Sequence, residues 1–208
     1  MTRGRFITFE GGEGAGKSTQ ARLLADALVD LGVPVLRTRE PGGAPGAEVL
    51  RELLLSGSVA WSAPAEALLH FAARAEHVER SISPALDAGM WVVCDRFADS
   101  TMAYQGYGQG ADRALIATLT GLIGLVPDVT IVLDVSDTVA LGRLRTRGGT
   151  PDRYEQLDAA FHARVNAGFR AIARDAPERC VVIPADGSEA DVHAAVMRAV
   201  WQRVAPDG

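Results

Sequence analysis

The stretch RFITFEGGEGAGKSTQARLLADALVDL, residues 5–31, decides the fold because it combines three local signals in one order. The apolar run RFITFE predicts a buried strand, and the amphipathic run from Lys17 to Leu31 predicts a helix. Between them, Gly11-x4-Gly16-Lys17-Ser18 fits the G-x4-G-K-[ST] pattern of a phosphate-binding loop. An incidental glycine-rich turn rarely has all of these features together, so we predict a phosphate-binding loop, or P-loop.

The residue types in this loop suit the binding of a nucleoside triphosphate. Glycines allow the backbone to bend closely around phosphate oxygens, and the N–H groups at the start of a helix favour negative charge. Lys17, the only lysine of the chain, can reach the β- and γ-phosphates. The hydroxyl of Ser18 can ligate magnesium. We therefore expect ATP and Mg²⁺ to bind here.

Outward from the loop, strand-like and helix-like segments alternate along the chain. The runs VPVLRT, WVVCD, VTIVLDV and CVVIPA are rich in β-branched residues and predict further buried strands. Strands of this kind separated by helices are typical of a parallel sheet covered on both faces. We predict one α/β domain over residues 1–208, with ligands at the carboxyl ends of its strands. Cys94 and Cys180 lie in two of these runs and read as buried, packed thiols.

Composition excludes several other classes of protein. Hydrophobic residues make up 48% and charged residues 23% of the 208 residues, which is ordinary globular usage. The net charge of -5 argues against broad binding to nucleic acid or anionic membranes. There is no signal-peptide pattern at the start and no apolar run of about 20 residues. We expect a cytoplasmic protein with small-molecule substrates.

A carboxylate for the magnesium should follow a buried strand. WVVCD places Asp95 at such a point, and Arg96 follows it directly. We predict Asp95 on the magnesium side and Arg96 as a clamp for an anion. A helix-capping role is the alternative for residues in this segment, with Asp99 or Ser100 as the cap. Asp134 is a second candidate, although it is better explained as the end of its own strand.

An arginine-rich segment lies further along the chain, with Arg143, Arg145 and Arg147 before a Gly/Pro loop and Arg153 after it. Such a cluster alone fits a solvated helix end equally well. With a P-loop present, it also fits a lid over residues 143–155 that neutralises phosphate charge and excludes water. These features favour an ATP-dependent kinase. A GTPase is disfavoured because the chain has a single Asn and a single Lys, and thus no Asn-Lys-x-Asp reader of guanine.

Five motifs in the chain, in this order, resemble one family. FEGGEGAGKSTQ, TREPGG, FAAR, DRFADSTMAYQGYG and the arginine-rich RLRTRG…DRYE segment make the sequence similar to bacterial thymidylate kinases from the first strand to beyond the lid. The second and fourth motifs are much more specific than the P-loop. The resemblance implies the P-loop NTPase fold, with five parallel strands in the order 2-3-1-4-5. It also implies transfer of the ATP γ-phosphoryl group to dTMP, giving dTDP for dTTP synthesis.

The resemblance further implies roles for individual residues. Phe71 would stack on thymine and Arg74 would hydrogen-bond the base, and the two lie three residues apart on one predicted helix. Taken alone, Phe71 would more often belong to the core. Arg96 and Arg51 would hold the acceptor phosphate. The remaining acceptor-site residues implied by the family are Glu13 at the sugar 3′-hydroxyl, Glu40 as an organiser of the site, and Ser100, Tyr104 and Gln105 around base and sugar, with Tyr104 disfavouring a 2′-hydroxyl.

The position of the basic residues indicates the lid-arginine class of this family, because the P-loop carries no basic residue beside Lys17. Arg147 or Arg153 would contact the γ-phosphoryl group in the closed state, together with the catalytic residues Lys17 and Arg96. Phe97 departs from the tyrosine or histidine common after the Asp-Arg pair. The residues expected to contact ATP are Gly11, Gly12, Glu13, Gly14, Ala15, Gly16, Lys17, Ser18, Thr19 and Arg143.

Two alternatives remain open from the sequence. The chain could be a nucleoside-monophosphate kinase with another acceptor, such as AMP or dUMP, or a non-catalytic module that senses nucleotides. No Ser/His/Asp arrangement is visible among the four histidines, so we expect direct transfer without a protein nucleophile. The family also implies a homodimer, formed through the apolar helices around Leu68 and Leu115.

Overall fold

A computed structural model describes residues 3–147 and 153–204. Its sheet contains five parallel strands: β1 (Phe6–Glu10), β2 (Val35–Arg39), β3 (Trp91–Asp95), β4 (Val129–Asp134) and β5 (Cys180–Pro184). Their order is β2-β3-β1-β4-β5, which confirms the predicted order 2-3-1-4-5 and the α/β class. All four pairings are parallel, with Ile7 opposite Val93 on one side and Val129 on the other.

The strand that precedes the P-loop is central and completely buried. Every residue of β1 is buried, and β3 and β4 cover its two edges. Because all five strands run in the same direction, their carboxyl ends meet at one edge of the sheet. Glu10 and Asp95 end β1 and β3 at that edge, directly before the P-loop and Arg96. The topology therefore brings the two predicted motifs side by side.

Helices cover both faces of the sheet within the described residues. Two of them begin with an aspartate whose side chain accepts a backbone N–H: Asp112 from Ala114 at 2.8 Å and Asp158 from Phe161 at 2.7 Å. Two π-helical segments, Val78–Ile82 and Met102–Gly108, continue helices that precede them. The α-helices are α1 (Lys17–Asp30), α2 (Pro45–Leu55), α3 (Ala63–His77), α4 (Ser83–Asp87), α5 (Ala98–Thr101), α6 (Arg113–Ile123), α7 (Asp137–Arg147), α8 (Ala159–Asp175) and α9 (Glu189–Val204).

The largest apolar cluster packs α1 and α9 against the sheet. Leu24 and Leu28 of α1 lie with Val196 and Val200 of α9 against β1, β3 and β4. The two cysteines are free, buried thiols, as their apolar surroundings predicted. Burial raises the pKa of Cys94 well above its usual value and that of Cys180 to about 11. Among residues 3–147 and 153–204, no helix combines the length and apolar content needed to cross a membrane.

Candidate active site

A cavity of about 1000 Å³ opens at the carboxyl edge of the sheet. The P-loop lines it from Glu13 to Ser18, and Arg39–Pro41, the segment 95–105 and α7 contribute other walls. One continuous space therefore reaches both the phosphate-binding loop and the predicted acceptor residues. The predicted substrate-binding residues that line it are Glu13, Glu40, Arg51, Arg74, Arg96, Ser100, Tyr104 and Gln105.

The P-loop backbone depends on glycine at a position where a side chain would collide. Gly14 has φ 71°, and a Cβ there would lie 2.6 Å from the carbonyl oxygen of Ala140 on α7. L-residues rarely adopt this conformation, and the neighbour is backbone that cannot rotate away. A basic side chain at this point of the loop is thus excluded on two grounds. Any arginine that neutralises charge on ATP must come from another segment.

Lys17 is buried at the centre of the loop. Its Nζ donates to the carbonyl oxygens of Gly11 at 3.0 Å and Gly12 at 2.6 Å, so the loop itself holds the ammonium group. Burial and the positive charge of Arg96 lower the pKa of Lys17 to about 8. The carboxylates of Glu13, Asp95 and Glu10 act in the opposite direction but do not outweigh this effect. An anionic ligand would favour the charged form. Gly11 and Gly12, predicted to contact ATP, lie outside the described lining of the cavity.

Ser18 and Asp95 have the chemistry of a magnesium site. The Ser18 hydroxyl donates to Oδ2 of Asp95, and both residues line the cavity. The other carboxylate oxygen, Oδ1, is buried and has no hydrogen-bond partner among the described residues. Hard divalent cations prefer hydroxyl and carboxylate oxygens. The pair fits Mg²⁺, whereas Asp134 is engaged by Arg170 through two contacts of 2.8 and 3.1 Å away from the described lining.

Arg96 has a strained backbone conformation and contacts the P-loop. It has φ 71°, the only positive φ of a non-glycine residue in the described part of the chain. Its Nη2 donates to Oε1 of Glu13 at 2.6 Å, and Nη1 donates to Ser100 at 3.3 Å. The guanidinium also lies 4.9 Å from the ring centre of Tyr104. These contacts hold a positive charge between the P-loop and the acceptor side of the cavity.

Glu13 joins the P-loop to the acceptor side. Its Oε1 accepts from Arg96 and, at 2.6 Å, from the hydroxyl of Tyr104. Burial alone would raise the pKa of Glu13, but the charges of Arg96 and Lys17 outweigh it and lower the pKa to about 2. The carboxylate is therefore an ionised acceptor. It is suited to a hydroxyl group of a substrate.

Glu10 accepts hydrogen bonds from the residues that follow the strained turn at Arg96. Its side chain accepts from the backbone N–H of Phe97 at 2.8 Å and from Ser100, whose N–H lies at 3.2 Å and whose hydroxyl lies at 2.5 Å. Burial and the negative charge of Asp99 raise the pKa of Glu10 to about 8. Asp99 itself is held by Arg179 at 2.6 and 2.9 Å. Sequence reasoning missed Glu10 because its partners are about 90 residues away.

A buried chain of polar groups fixes Arg74. Its Nε donates to Glu40 at 2.8 Å, and the other oxygen of Glu40 faces Nδ1 of His77 at 3.1 Å. His77 in turn contacts the hydroxyl of Thr38 at 2.8 Å. Arg74 also donates to Thr101 at 3.2 Å, while its Nη1 is buried without a partner among the described residues. An unsatisfied donor next to a cavity indicates a place for a ligand acceptor.

The aromatic residue predicted to stack on the base is not among the residues that line the cavity in the described part of the chain. Phe71 is buried with Ala67, Ala111 and Ile116, outside the described lining of the cavity, and its ring centre is 4.6 Å from the Arg74 guanidinium. His70 lines the cavity instead. Residues i and i+4 share a helix face as residues i and i+3 do, so His70 and Arg74 could have been paired from the sequence.

Four donors meet on one buried carboxylate of α3. Glu66 accepts from Gln105, Gln109 and the Tyr154 hydroxyl, each at 2.8 Å, and from Arg153. Arg153 lies outside the described lining of the cavity, and Tyr154 lies within it. Neither Glu66 nor Tyr154 was singled out from the sequence, because no local motif marks them.

Two of the other predicted basic residues, Arg51 and Arg143, line the cavity. Arg51 lines it and donates to the carbonyl oxygen of Pro41 at 2.7 Å. Arg143 also lines it and donates to Ala185 at 2.8 Å. Arg145 is exposed on α7. The side chain of Arg147 and the lid residues 148–152 lie outside the described residues.

A P-loop after the central strand of a parallel sheet, with an Asp-Arg pair at the end of the next strand, defines a P-loop nucleotide-binding protein. The thymidylate kinase family model matches residues 9–196, and the chain belongs to this family. It is 53% identical to a thymidylate kinase of Caulobacter vibrioides over 98% of this chain and 99% of the other. It is also 54% identical to a thymidylate kinase of Gluconobacter oxydans, over 99% of this chain and 98% of the other.

A solved structure of a thymidylate kinase has the same fold as this chain. The crystal structure of thymidylate kinase from Ehrlichia chaffeensis is 39% identical in sequence and superimposes with a TM-score of 0.78. The match covers 95% of this chain and 98% of the other. The family suggested by the sequence motifs is therefore confirmed.

Proposed function

We propose that this protein transfers the γ-phosphoryl group of ATP to dTMP, giving dTDP and ADP. The observation that carries the proposal is the continuous cavity, which joins the P-loop at one end to Arg74 and Gln105 at the other. A kinase needs both nucleotides in one space so that the acceptor oxygen can approach the γ-phosphorus in line. The thymidylate kinase family supplies the identity of the acceptor.

The donor half of the reaction rests on charge neutralisation. Lys17 and the P-loop N–H groups would hold the triphosphate, and Arg143 approaches the loop from α7. Ser18 and Asp95 would hold Mg²⁺, which supplies charge neutralisation between the phosphate groups when it is bound. Oδ1 of Asp95 has no hydrogen-bond partner in the part of the chain that the structure describes, which supports that assignment.

The acceptor half rests on residues already ordered by their own contacts. Arg96, with Arg51, would bind the acceptor phosphate, because both line the cavity and Arg96 contacts Glu13 of the P-loop. Nη1 of Arg74, which has no hydrogen-bond partner among the described residues, would donate to the base, and Glu13 would accept from the sugar hydroxyl. Tyr104, whose hydroxyl donates to Glu13, would form the sugar wall. The transfer needs no protein nucleophile, since the acceptor phosphate oxygen attacks directly.

The lid arginine remains a proposal for Arg147 or Arg153. Gly14 leaves no room for a basic side chain in the P-loop, which favours a lid residue in that role. Arg153 is the first residue of the second described segment, lies within the predicted lid and pairs with Glu66. Replacing each arginine by alanine separately would distinguish them, because loss of an arginine finger lowers turnover by about 10³-fold or more.

A homodimer is the proposed oligomeric state. Leu68 of α3 is 50% exposed and Leu122 of α6 is 77% exposed, and α3 and α6 pack on each other. Exposed apolar side chains on two helices that pack together favour a protein interface. Light scattering after gel filtration tests it: a mass near 44 kDa, twice the 22.0 kDa of the chain, is expected. A Leu122→Glu variant should shift that mass toward the monomer.

The decisive experiment is ADP release with ATP, Mg²⁺ and a panel of acceptors: dTMP, dUMP, dCMP, AMP and GMP. We expect a strong preference for dTMP and loss of at least about 100-fold in turnover for Lys17→Ala. Preference for another acceptor would refute dTMP as the substrate while keeping phosphoryl transfer. Release that depends on no acceptor would instead favour a nucleotide-sensing module.

A further inference from the structure

Glu66 does not line the cavity, yet it contacts side chains that do. It is completely buried on α3, and its carboxylate accepts hydrogen bonds from Gln105, Gln109, Tyr154 and Arg153. Removing one donor from a buried carboxylate costs free energy of folding, so these contacts are expected to act together. We refer to Glu66, Gln105, Tyr154 and His70 as the Glu66 network.

The hydrogen bonds of the Glu66 network determine which ring nitrogen of His70 carries a hydrogen. The single hydroxyl hydrogen of Tyr154 is donated to Glu66 at 2.8 Å. The contact of 3.0 Å between Tyr154 Oη and His70 Nε2 must then use a hydrogen on Nε2. The neutral ring carries its hydrogen on that nitrogen, and Nδ1 is left without it. Burial and the charges of Arg74, Arg153 and Arg96 lower the pKa of His70 to about 3, which agrees with a neutral ring.

Hydrogen bonds within the Glu66 network also orient the side-chain amide of Gln105. Its Nε2 donates to Glu66 at 2.8 Å and lies 3.3 Å from the hydroxyl of Tyr154, so the nitrogen end of the amide faces the network. The carbonyl oxygen of the side chain is then the polar atom left for a ligand in the cavity that Gln105 lines. Removal of the Glu66 charge would allow this amide to turn over.

We propose that Glu66 is a positioning residue of the acceptor pocket, which acts through Tyr154 to keep the hydrogen of His70 on Nε2 and holds Gln105 in one orientation. His70 shares a helix face with Arg74 and lines the cavity where Phe71 does not, so the oriented imidazole is the wall on the base side. The inference rests on the proposed acceptor site. It adds a residue that acts only through others.

Steady-state kinetics with ATP and dTMP test the proposal in the full chain. Glu66→Gln keeps the shape of the side chain and removes its charge, and we expect the KM for dTMP to rise about 10-fold. The KM for ATP should stay within about twofold, because the described hydrogen bonds of Glu66 include none to the P-loop. Glu76→Gln on the same helix is the matched control, since Glu76 is 37% exposed and pairs with Arg80 at the surface.

Tyr154→Phe removes one hydroxyl and guards against a Glu66→Gln variant that fails to fold. It should raise the KM for dTMP in the same direction, and the double variant should be no worse than Glu66→Gln alone, because both act through one network. Equal rises in both KM values, or no rise in either, would overturn the positioning role.

An independent test uses NMR of the substrate-free protein. Long-range ¹H–¹⁵N spectra distinguish the two neutral tautomers, and His70→Gln identifies the His70 signals. We expect the tautomer with hydrogen on Nε2 in the wild type and a loss of that preference in Tyr154→Phe. A neutral ring with hydrogen on Nδ1 would contradict the network. Since no substrate is present, this result is separate from the failure of dTMP phosphorylation, which would refute the proposed function instead.

Discussion

Replacing Glu40 by alanine tests how the acceptor side of the cavity is held together. Arg74 and Glu40 are 2% and 4% exposed at their side chains, and 2.8 Å separates their charged atoms. The second carboxylate oxygen of Glu40 faces His77, which is completely buried. Glu40→Ala would therefore leave the Arg74 guanidinium with its charge uncompensated in the protein interior.

The size of the effect follows from this burial. Removal of one partner from a buried ion pair costs about 3–5 kcal/mol in the free energy of unfolding. In a chain of this size each kcal/mol corresponds to about 2–4 °C in Tm, so Glu40→Ala should lower Tm by about 6–20 °C. Asp26→Ala is the control, because the Arg22–Asp26 pair on α1 is 47% and 62% exposed. That pair should contribute about 0.5 kcal/mol or less.

Urea unfolding and calorimetry would measure both variants beside the wild type. The double variant Glu40→Ala/Arg74→Met should regain part of the lost stability, since an apolar side chain replaces the uncompensated charge. Its activity should remain low because the base-contacting donor is gone. A Glu40→Ala loss no larger than that of Asp26→Ala, or a further loss in the double variant, would refute the reasoning.

Three further predictions concern the P-loop and its support. Because the pKa of Lys17 is lowered to about 8, kcat/KM should fall as pH rises through 8, and a flat profile from pH 7 to 9.5 would contradict this. Glu10 has its folded-state pKa raised from 4.5 to about 8, so its stabilising contribution is complete below 4.5 and is lost as pH rises through 8. Glu10→Gln should therefore flatten the dependence of Tm on pH between 5 and 8, measured by calorimetry. Gly14→Ala should cost about 1–3 kcal/mol in urea unfolding and lower turnover, because its Cβ would lie 2.6 Å from Ala140; wild-type stability would show that the loop can adjust.

The sequence predicted those parts of the fold that depend on local pattern. The strand WVVCD is observed as Trp91–Asp95, and the helix predicted to end at Leu31 ends at Asp30. Buried parallel strands are continuous apolar runs, so their positions can be recognised without knowledge of their partners. The strand order came from the family resemblance rather than from these patterns, and it is confirmed.

The choice between two neighbouring helix positions could not be made from the sequence. Both His70 and Phe71 lie close to the face of Arg74, at spacings of four and three residues. Packing against Ala111 and Ile116 buries Phe71, and the cavity is lined by His70. The helical period defines a face only to within about one residue, and the neighbouring elements decide which side chain points into the cavity.

By itself the sequence determined the phosphate-binding loop, because Gly11 to Ser18 are contiguous and their chemistry depends on their own backbone. Only the tertiary structure decided what supports that loop and the acceptor pocket. Glu10 meets Ser100 across 90 positions of sequence, and Glu66 meets Tyr154 across 88. A buried carboxylate must find donors wherever the fold places them, and a partner brought close by chain folding leaves no spacing in the sequence from which it could be recognised.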